Sequence, residues 1–423
     1  MMRGAPPRGE EARSCGAMKK IYSMFRALKY RNFRLFFPGL AVSQVGIWVQ
    51  NIAISWLVYN LTQSPLTMGT VMFCNSLPFF LITPFAGFLI DKFNRHTLLM
   101  AVQILFAVQA LLMTLITAAG LEAVWNIIAL GVLLNAIAAL DAPLRQSSFV
   151  CLVDDKRDLG NAISLNSSCF NLARFVGPAL GGLLLAHAPI SMCFLINFLC
   201  LAPAIILVGM MRMRDTRTPA AQRESFAESM RAGIRYAWGT RQIRYLLIYL
   251  SLFCFLIMSY PMLMPIYTAE VLHAEADVLG YLLGATGVGS LVASLLMAMK
   301  SGVSHLRWII LGGALLACLS LGGLACTQSV PAALTLSFLL GLGSTTFLTP
   351  ENMLLQSVVA DEKRGRVMSL NTLAYFAPTA LSTLLAGSLA HALTLQGALL
   401  LLPAMMLVLA ALLSFKLSTL RYH

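Results

Sequence analysis

Charge is scarce in this chain. Only 11% of its 423 residues are Asp, Glu, Lys or Arg, against 58% that are apolar. That is too little charge to clothe the surface of a water-soluble protein of this length. Acid is scarcer still, with 17 Asp and Glu against 30 Lys and Arg. Long polar stretches are also missing: no segment between the apolar blocks exceeds about thirty residues, well short of a further soluble domain. This argues against a sensor or assembly subunit built on a membrane frame. No His-Glu-x-x-His, paired-acid or Ser/Lys constellation falls within the apolar blocks, which excludes the usual intramembrane enzymes. The nine cysteines show neither C-x-x-C nor metal-ligand spacing. Most lie inside apolar blocks and read as small packing residues, not as a disulfide framework.

What is present is hydrophobicity in blocks, each near the ~20 residues that span a bilayer core. Twelve can be drawn, at about 35–60, 67–90, 97–119, 123–143, 163–187, 189–211, 244–267, 278–299, 307–325, 331–350, 367–390 and 394–415. Backbone groups in lipid must be satisfied within their own segment, so blocks of this length predict helices. Mean hydropathy is +0.79. The positive charge then sorts by side. Twenty-nine of the 30 Lys and Arg fall before the first block, after the last, or in alternate connections, and only Arg174 stands apart. By the positive-inside rule both termini are cytoplasmic, in a multi-pass protein of the cell inner membrane. No cleavable signal peptide is expected, because the first apolar block is too long and lacks a cleavage site.

The basic segment 212–243 divides the chain into an N-terminal tail (1–34), a six-helix half (35–211), a linker (212–243), a second six-helix half (244–415) and a C-terminal tail (416–423). In the linker Phe226, Met230, Ile234 and Trp238 recur every four residues, with Arg231 and Arg235 off that stripe. The pattern predicts an amphipathic helix on the cytoplasmic membrane face. The halves repeat in sequence: Pro143 to Ser167 parallels Pro350 to Thr372, and Leu185-Ala186-His187-Ala188 returns as Leu389-Ala390-His391-Ala392. Two six-helix halves of like orientation imply a pseudo-two-fold axis along the membrane normal and a substrate site between them. The expected fold is therefore all-α, with twelve transmembrane helices in two pseudo-symmetric halves.

Two motifs carry a family resemblance. Gly87, Asp91, Lys92 and Arg95 fall in the connection after the second block, in a pattern that resembles the G-x-x-x-D-R/K-x-x-R signature of the major facilitator superfamily. The arrangement suggests a gate in which Asp91 and Arg95 pair with Asp141 at the cytoplasmic end of the fourth block. The matching connection in the second half, Lys300 to Arg307, has no acid, so the gate is expected to be asymmetric. In the fifth block, Ala173-Arg174-Phe175-Val176-Gly177-Pro178-Ala179-Leu180-Gly181-Gly182 is similar to the G-x-x-x-G-P-x-x-G-G stretch of exporters in that superfamily. Its glycines permit close helix approach, and Gly280, Gly284 and Gly287 offer a matching face in the eighth block. The segments Asn60 to Gly69 and Leu152 to Ala162 look like the branch of enterobactin exporters and macrolide-efflux pumps. Along nearly the whole chain, the resemblance implies a proton-driven antiporter with no cofactor beyond the proton gradient.

Candidate substrate-binding residues are the polar groups of the apolar blocks, which normally face the bundle interior or water. They are Gln44, Trp48 and Asn51 on one face of the first block, with Asn135, Asn171, Arg174, Tyr260 and Tyr375. Arg174 is the most telling, because a buried cation needs a partner: Asp141 or an anionic substrate. Asp141 and Glu351 are the candidates for proton coupling. Together these features point to a proton-coupled exporter of a small organic molecule, with a siderophore as the preferred class. Macrolide or multidrug efflux, and import on the same fold, stand as alternatives. The partners expected are a small-molecule substrate and the lipid bilayer, with no nucleic acid. The sequence leaves open a monomer and separate outer-membrane export components.

Overall fold

A computed structural model describes residues 26–153, 155–213, 226–299, 305–360 and 363–418. The N-terminal tail up to residue 25 and the linker residues 214–225 lie outside the described residues. Every regular element among the described residues is helical. The first half runs α1 (Arg31–Thr62), α2 (Pro65–Lys92), α3 (Arg95–Ala118), α4 (Val124–Leu152), α5 (Leu159–His187) and α6 (Ile190–Gly209). The linker helix α7 (Phe226–Gly239) follows. The second half holds α8 (Arg241–Ile257), α9 (Tyr260–Ile266), α10 (Ala276–Met299), α11 (Leu306–Ala325), α12 (Val330–Val358), α13 (Arg364–Ala392) and α14 (Leu395–Ser418). Helices α8 and α9, with a π-helical turn at Tyr267–Val271, form one broken span, Arg241–Val271. Among the described residues, eleven spans are long and apolar enough to cross a membrane, and α14 contributes a shorter apolar stretch, Leu395–Ala411.

The helices outrun the apolar blocks that predict them. α4 continues to Leu152 and α12 to Val358, well beyond 143 and 350. A hydropathy block ends where the hydrocarbon ends, whereas a hydrogen-bonded helix continues into the polar interface. The internal prolines Pro143 and Pro350 do not end these helices, since proline removes only one backbone donor. Local signals set the tight turns. Ser64 caps α2, accepting from Thr67 N at 3.4 Å with Pro65 in the first turn, and Asn94 caps α3 through His96 N and Thr97 N.

The two halves pack alike. α1 lies against α5 and α6, α2 against α4, and α3 against α4 and α6. In the second half α8 lies against α13 and α14, α10 against α12, and α11 against α12 and α14. Advancing each span by six turns the first set into the second. A buried amide chain knits the first half: Asn197 Nδ2 donates to Gln50 Oε1 (2.6 Å), Gln50 Nε2 to Gln109 Oε1 (2.8 Å), and Gln109 Nε2 to Leu130 O (3.3 Å). Burying carboxamides in an apolar bundle is tolerable only when they find each other in this way.

The halves meet through α5 on α10 and α2 on α13. Both seams are drawn tight by glycine near the helix ends remote from the chain termini. A methyl group on Gly182 would come within 2.5 Å of Gly280 Cα, and one on Gly387 within 2.6 Å of Pro65 O. Thr383 Oγ1 donates to Gly69 O across the second seam, at 3.3 Å. Midway along it the rings of Phe79 and Phe376 stack at 4.9 Å. Toward the end that carries the termini, the polar side chains Ser164, Ser167 and Ser168 of α5 and Ser369 and Thr372 of α13 are exposed.

Two short elements brace that same end. Ahead of α1, a 3-10 turn at Arg26–Lys29 straps onto the start of α5. There Ala27 N donates to Asn161 Oδ1 (2.9 Å), Tyr30 Oη donates to Asp158 Oδ2 (3.0 Å), and Lys29 pairs with Asp158 (2.5 Å). Ahead of α8, α7 rests on the start of α13, with Gly233 against Arg366 and Leu370. Ile234 and Trp238 of the predicted stripe are exposed, together with Arg231 and Arg235, while Gly233 and Ala237 face the bundle. The side chains of Phe226 and Met230 lie outside the described residues.

Candidate functional site

A cavity of about 310 Å³ lies between the halves. The first half supplies Trp48, Asn51, Asn75, Asn135 and Arg174 to its wall, and the second Tyr260, Thr286 and Thr383. Local packing decides which side chains reach it. In α5 the glycines split their work: Gly177 and Gly181 lie against Trp48 and Ile52 of α1, and Gly182 against Gly280 of α10. Gly287 of α10 lies against Phe175 and the Arg174 carbonyl, and Gly284 faces Ala179. The exporter-like stretch thus holds α5 to its own half and to the other half at once. It fixes Arg174 at the cavity wall.

The Arg174 guanidinium has the tyrosines Tyr260 and Tyr375 as its electrostatic neighbours. No Asp or Glu is among the described residues lining the cavity. The cavity is therefore a space with one permanent cation, several carboxamides and hydroxyls, and apolar surface from Trp48, Met72, Met258 and Met262. Chemically this suits an organic anion that also carries hydrogen-bonding groups.

Asp141 is placed differently from expectation. It is 2% exposed and pairs with Arg145 one turn along α4, at 2.5 Å, not with Arg95 or Arg174. Arg145 in turn lies over the Phe170 ring, 4.7 Å from its centroid. The i,i+4 spacing explains the preference, since both groups share a helix face and no helix has to move to bring them together. Arg95 Nη1 donates to Ser147 O (3.3 Å) and to Cys151 Sγ (3.1 Å), both at the end of α4. Gly87 and Asp91 stand in the last turns of α2, and their surroundings lie outside the described residues; Lys92 is exposed. Residues 300–304, in the matching connection of the second half, are also outside the described residues.

Of the other candidates, Gln44 is buried and Asn171 half-buried, and neither is among the described cavity residues. Tyr375 reaches the site through Arg174. Glu351 on α12 is 1% exposed, and its Oε1 has no hydrogen-bond partner. It lies within electrostatic reach of Cys254 on α8, whose thiol meets Thr379 of α13. Cys254 in turn interacts with Tyr375. Tyr375, Cys254 and Glu351 thus lie in succession within electrostatic reach of one another, beginning beside the cavity cation.

Sequence reasoning passed over Asn75, which lines the cavity from α2. The available signal was the pair Asn75-Ser76, polar in an otherwise apolar run.

Comparison with known proteins agrees with this architecture. The transmembrane secretion effector family matches residues 22–422. The staphyloferrin A transporter of Staphylococcus aureus is 26% identical over 344 residues, 80% of this chain and 84% of the relative. The multidrug efflux pump Tap of Mycolicibacterium fortuitum is 27% identical over 369 residues, 85% of this chain and 89% of the relative. In fold, the nucleoside transporter NupG superposes with a TM-score of 0.73 at 12% identity, over 92% of this chain and 100% of that one. This helical bundle in two like halves, joined by glycine seams beside a central cavity and matched over nearly its full length, belongs to the transmembrane secretion effector family of major facilitator transporters.

Proposed function

We propose that this transporter exports a small organic anion, with siderophores as the preferred class, by proton-driven antiport across the inner membrane. The observation that carries the reading is Arg174, a fixed cation on the wall of a cavity whose described lining includes no acid. A guanidinium in a membrane bundle is costly unless paired, and here its protein neighbours are the tyrosines Tyr260 and Tyr375. An anionic ligand supplies the missing charge. The relationship to a staphyloferrin A transporter supports the substrate class.

With both termini cytoplasmic, the glycine seams lie at the outer end, and the serine-lined face of α5 opens toward the cytoplasm. An exporter loads from that side. Rocking of the two halves about the cavity then delivers the ligand outward. The Asp91 and Arg95 region is the proposed cytoplasmic gate, exchanging partners at the end of α4 as the halves move. Of the two proton-coupling candidates, Asp141 already has Arg145, whereas Glu351 is buried with an unpartnered oxygen, within electrostatic reach of Cys254 on α8. Glu351 is therefore the proposed proton site.

A second reading, multidrug efflux, is favoured by the apolar wall of Trp48, Met72, Met258 and Met262 and by the Tap relationship. Proteoliposomes with an imposed pH gradient separate the two. A carboxylate siderophore, a catecholate siderophore and a macrolide are offered to wild type and to Arg174→Ala. Gradient-driven siderophore movement that Arg174→Ala removes supports the anion exporter. Macrolide movement alone, indifferent to Arg174→Ala, replaces it with the second reading.

A further inference from the structure

The cavity has a second polar anchor besides its cation. Asn75 of α2 is 7% exposed, lines the cavity, and has a carboxamide oxygen with no hydrogen-bond partner. Its seat depends on Gly131 of α4, because a methyl group there would overlap the carboxamide. Asn135, one turn further along α4, spends its Nδ2 donor on the Gly131 carbonyl at 2.9 Å. With Asn51 of α1, the three carboxamides form one polar wall contributed by three helices.

We propose that Asn75 is a specificity-determining contact: its carboxamide binds a hydroxyl group on the molecule whose anionic group rests on Arg174. The inference builds on the anion reading of Arg174 and adds the chemistry of the rest of the ligand. A buried amide oxygen without a partner is a desolvated acceptor. A ligand hydroxyl that hydrogen-bonds the carboxamide where it lines the cavity offsets part of that loss, and an analogue without the hydroxyl leaves it in place. Sites of this kind reject the analogue far more strongly than apolar pockets reject a size change. The substrate is thus a bifunctional molecule, anionic at one end and hydroxylated at the other. A lipophilic cation or a plain fatty carboxylate satisfies only part of the cavity.

A matched pair of probes tests this without knowledge of the natural substrate. 2,3-Dihydroxybenzoylglycine and benzoylglycine share the carboxylate, the amide and the ring, and differ only in the two hydroxyls. Binding is measured by titration calorimetry on the full-length protein in nanodiscs, and the readout is the ratio of the two dissociation constants. Wild type is expected to prefer the hydroxylated probe by about tenfold. In Asn75→Leu and Asn75→Ala the ratio falls toward one; two variants are used because Leu and Ala fill the Gly131 niche differently. Size-exclusion behaviour and thermal unfolding report that each variant is folded. A ratio that stays near tenfold in a folded variant, or a wild-type ratio near one, overturns the Asn75 assignment and leaves the anion reading standing. Binding of both probes that is unchanged in Arg174→Ala, or no binding of either to wild type, overturns the anion reading and the Asn75 proposal with it.

Discussion

Asp141 and Arg145 face each other at 2.5 Å across one turn of α4, and each keeps one buried polar atom, Oδ1 and Nη1, without a partner. The pair is only half satisfied, so its value lies in mutual neutralisation. Removing one member leaves an uncompensated charge in the bundle, which costs about 3–5 kcal/mol. Arg145→Met and Asp141→Leu are each expected to reduce expression and unfolding temperature sharply, and the double variant should recover much of the loss. A double-mutant cycle of thermal unfolding in detergent checks this. Additive losses would mean that the pair does not act as a unit.

Glu351→Gln removes the proposed proton site while keeping size and hydrogen-bonding shape. The variant is expected to lose gradient-driven accumulation by tenfold or more, a rough figure for losing an essential proton carrier, yet to retain downhill exchange of substrate. Counterflow in proteoliposomes at equal pH on both sides separates the two activities. Loss of both together would make Glu351 a structural residue.

Gln50 holds the amide chain of the first half, bonded to both Asn197 and Gln109. Gln50→Leu strands a donor on Asn197 and an acceptor on Gln109. The expected cost is about 1–2 kcal/mol, the range for interhelical hydrogen bonds in membranes. Replacing all three amides with Leu should restore part of it, because no polar group is then stranded. Thermal unfolding of the single and triple variants is the measurement.

The strap ahead of α1 should be insensitive to pH across the neutral range. The hydrogen bond from Lys29, and then that from Tyr30, holds the Asp158 carboxyl below its ordinary value of 3.8. The same contact with Asp158 leads in holding Lys29 above its ordinary 10.5. A depressed carboxyl stabilises the fold above its unfolded value and loses this as pH falls through the folded one. A raised ammonium stabilises below its unfolded value and loses this as pH rises through the folded one. Both contributions are therefore fully present between 3.8 and 10.5. Hydrogen exchange of residues 26–30, corrected for intrinsic rate, should be flat from about pH 6 to about pH 9. It should rise several-fold at every pH in Asp158→Asn.

The seam between α5 and α10 leaves no room for a side chain at Gly182, where an added methyl would meet Gly280 Cα at 2.5 Å and Ala276 O at 2.8 Å. Backbone on both sides cannot give way as a flexible side chain would. Gly182→Val should push the halves apart at that end, by about 1–3 kcal/mol of overpacking. Transport should fall at least fivefold with surface expression retained. Maleimide labelling of a cysteine placed at Ser55 from the outer side should rise. Unchanged labelling would place the fault in folding and not in closure.

Much of the architecture was legible because membrane burial writes a coarse, long-wavelength signal. Twelve apolar blocks, charge on one side and an internal repeat give the span count and the two halves of the fold. The α5 glycines were legible as a motif. Their division between α1 and α10 was not, since glycine spacing says that helices touch without saying which ones. Arg174 stood out as the one cation away from the basic rim. Asn75 did not, because a single amide in an apolar block looks the same whether it turns toward a cavity or toward another helix. The partner of Asp141 was not legible for a related reason: Arg145 lies four residues away on the same helix, one basic residue among the many beside the apolar blocks. The helix ends past 143 and 350 were missed because hydropathy reports where lipid stops, not where hydrogen bonding stops.

The ownership of the cavity wall has one more consequence. Arg174, Asn75, Asn51 and Asn135 all belong to the first half, and Tyr260 belongs to the second. Distances within a half survive a rigid-body swing, while distances between halves do not. The cradle for the cargo is then a fixed template, carried intact through the cycle. The neighbourhood of Arg174 and Tyr260 spans the two bodies, so their separation is expected to change if the seam between α5 and α10 opens. A spectroscopic probe at Tyr260 would read the stroke of the machine directly, whatever the cargo turns out to be.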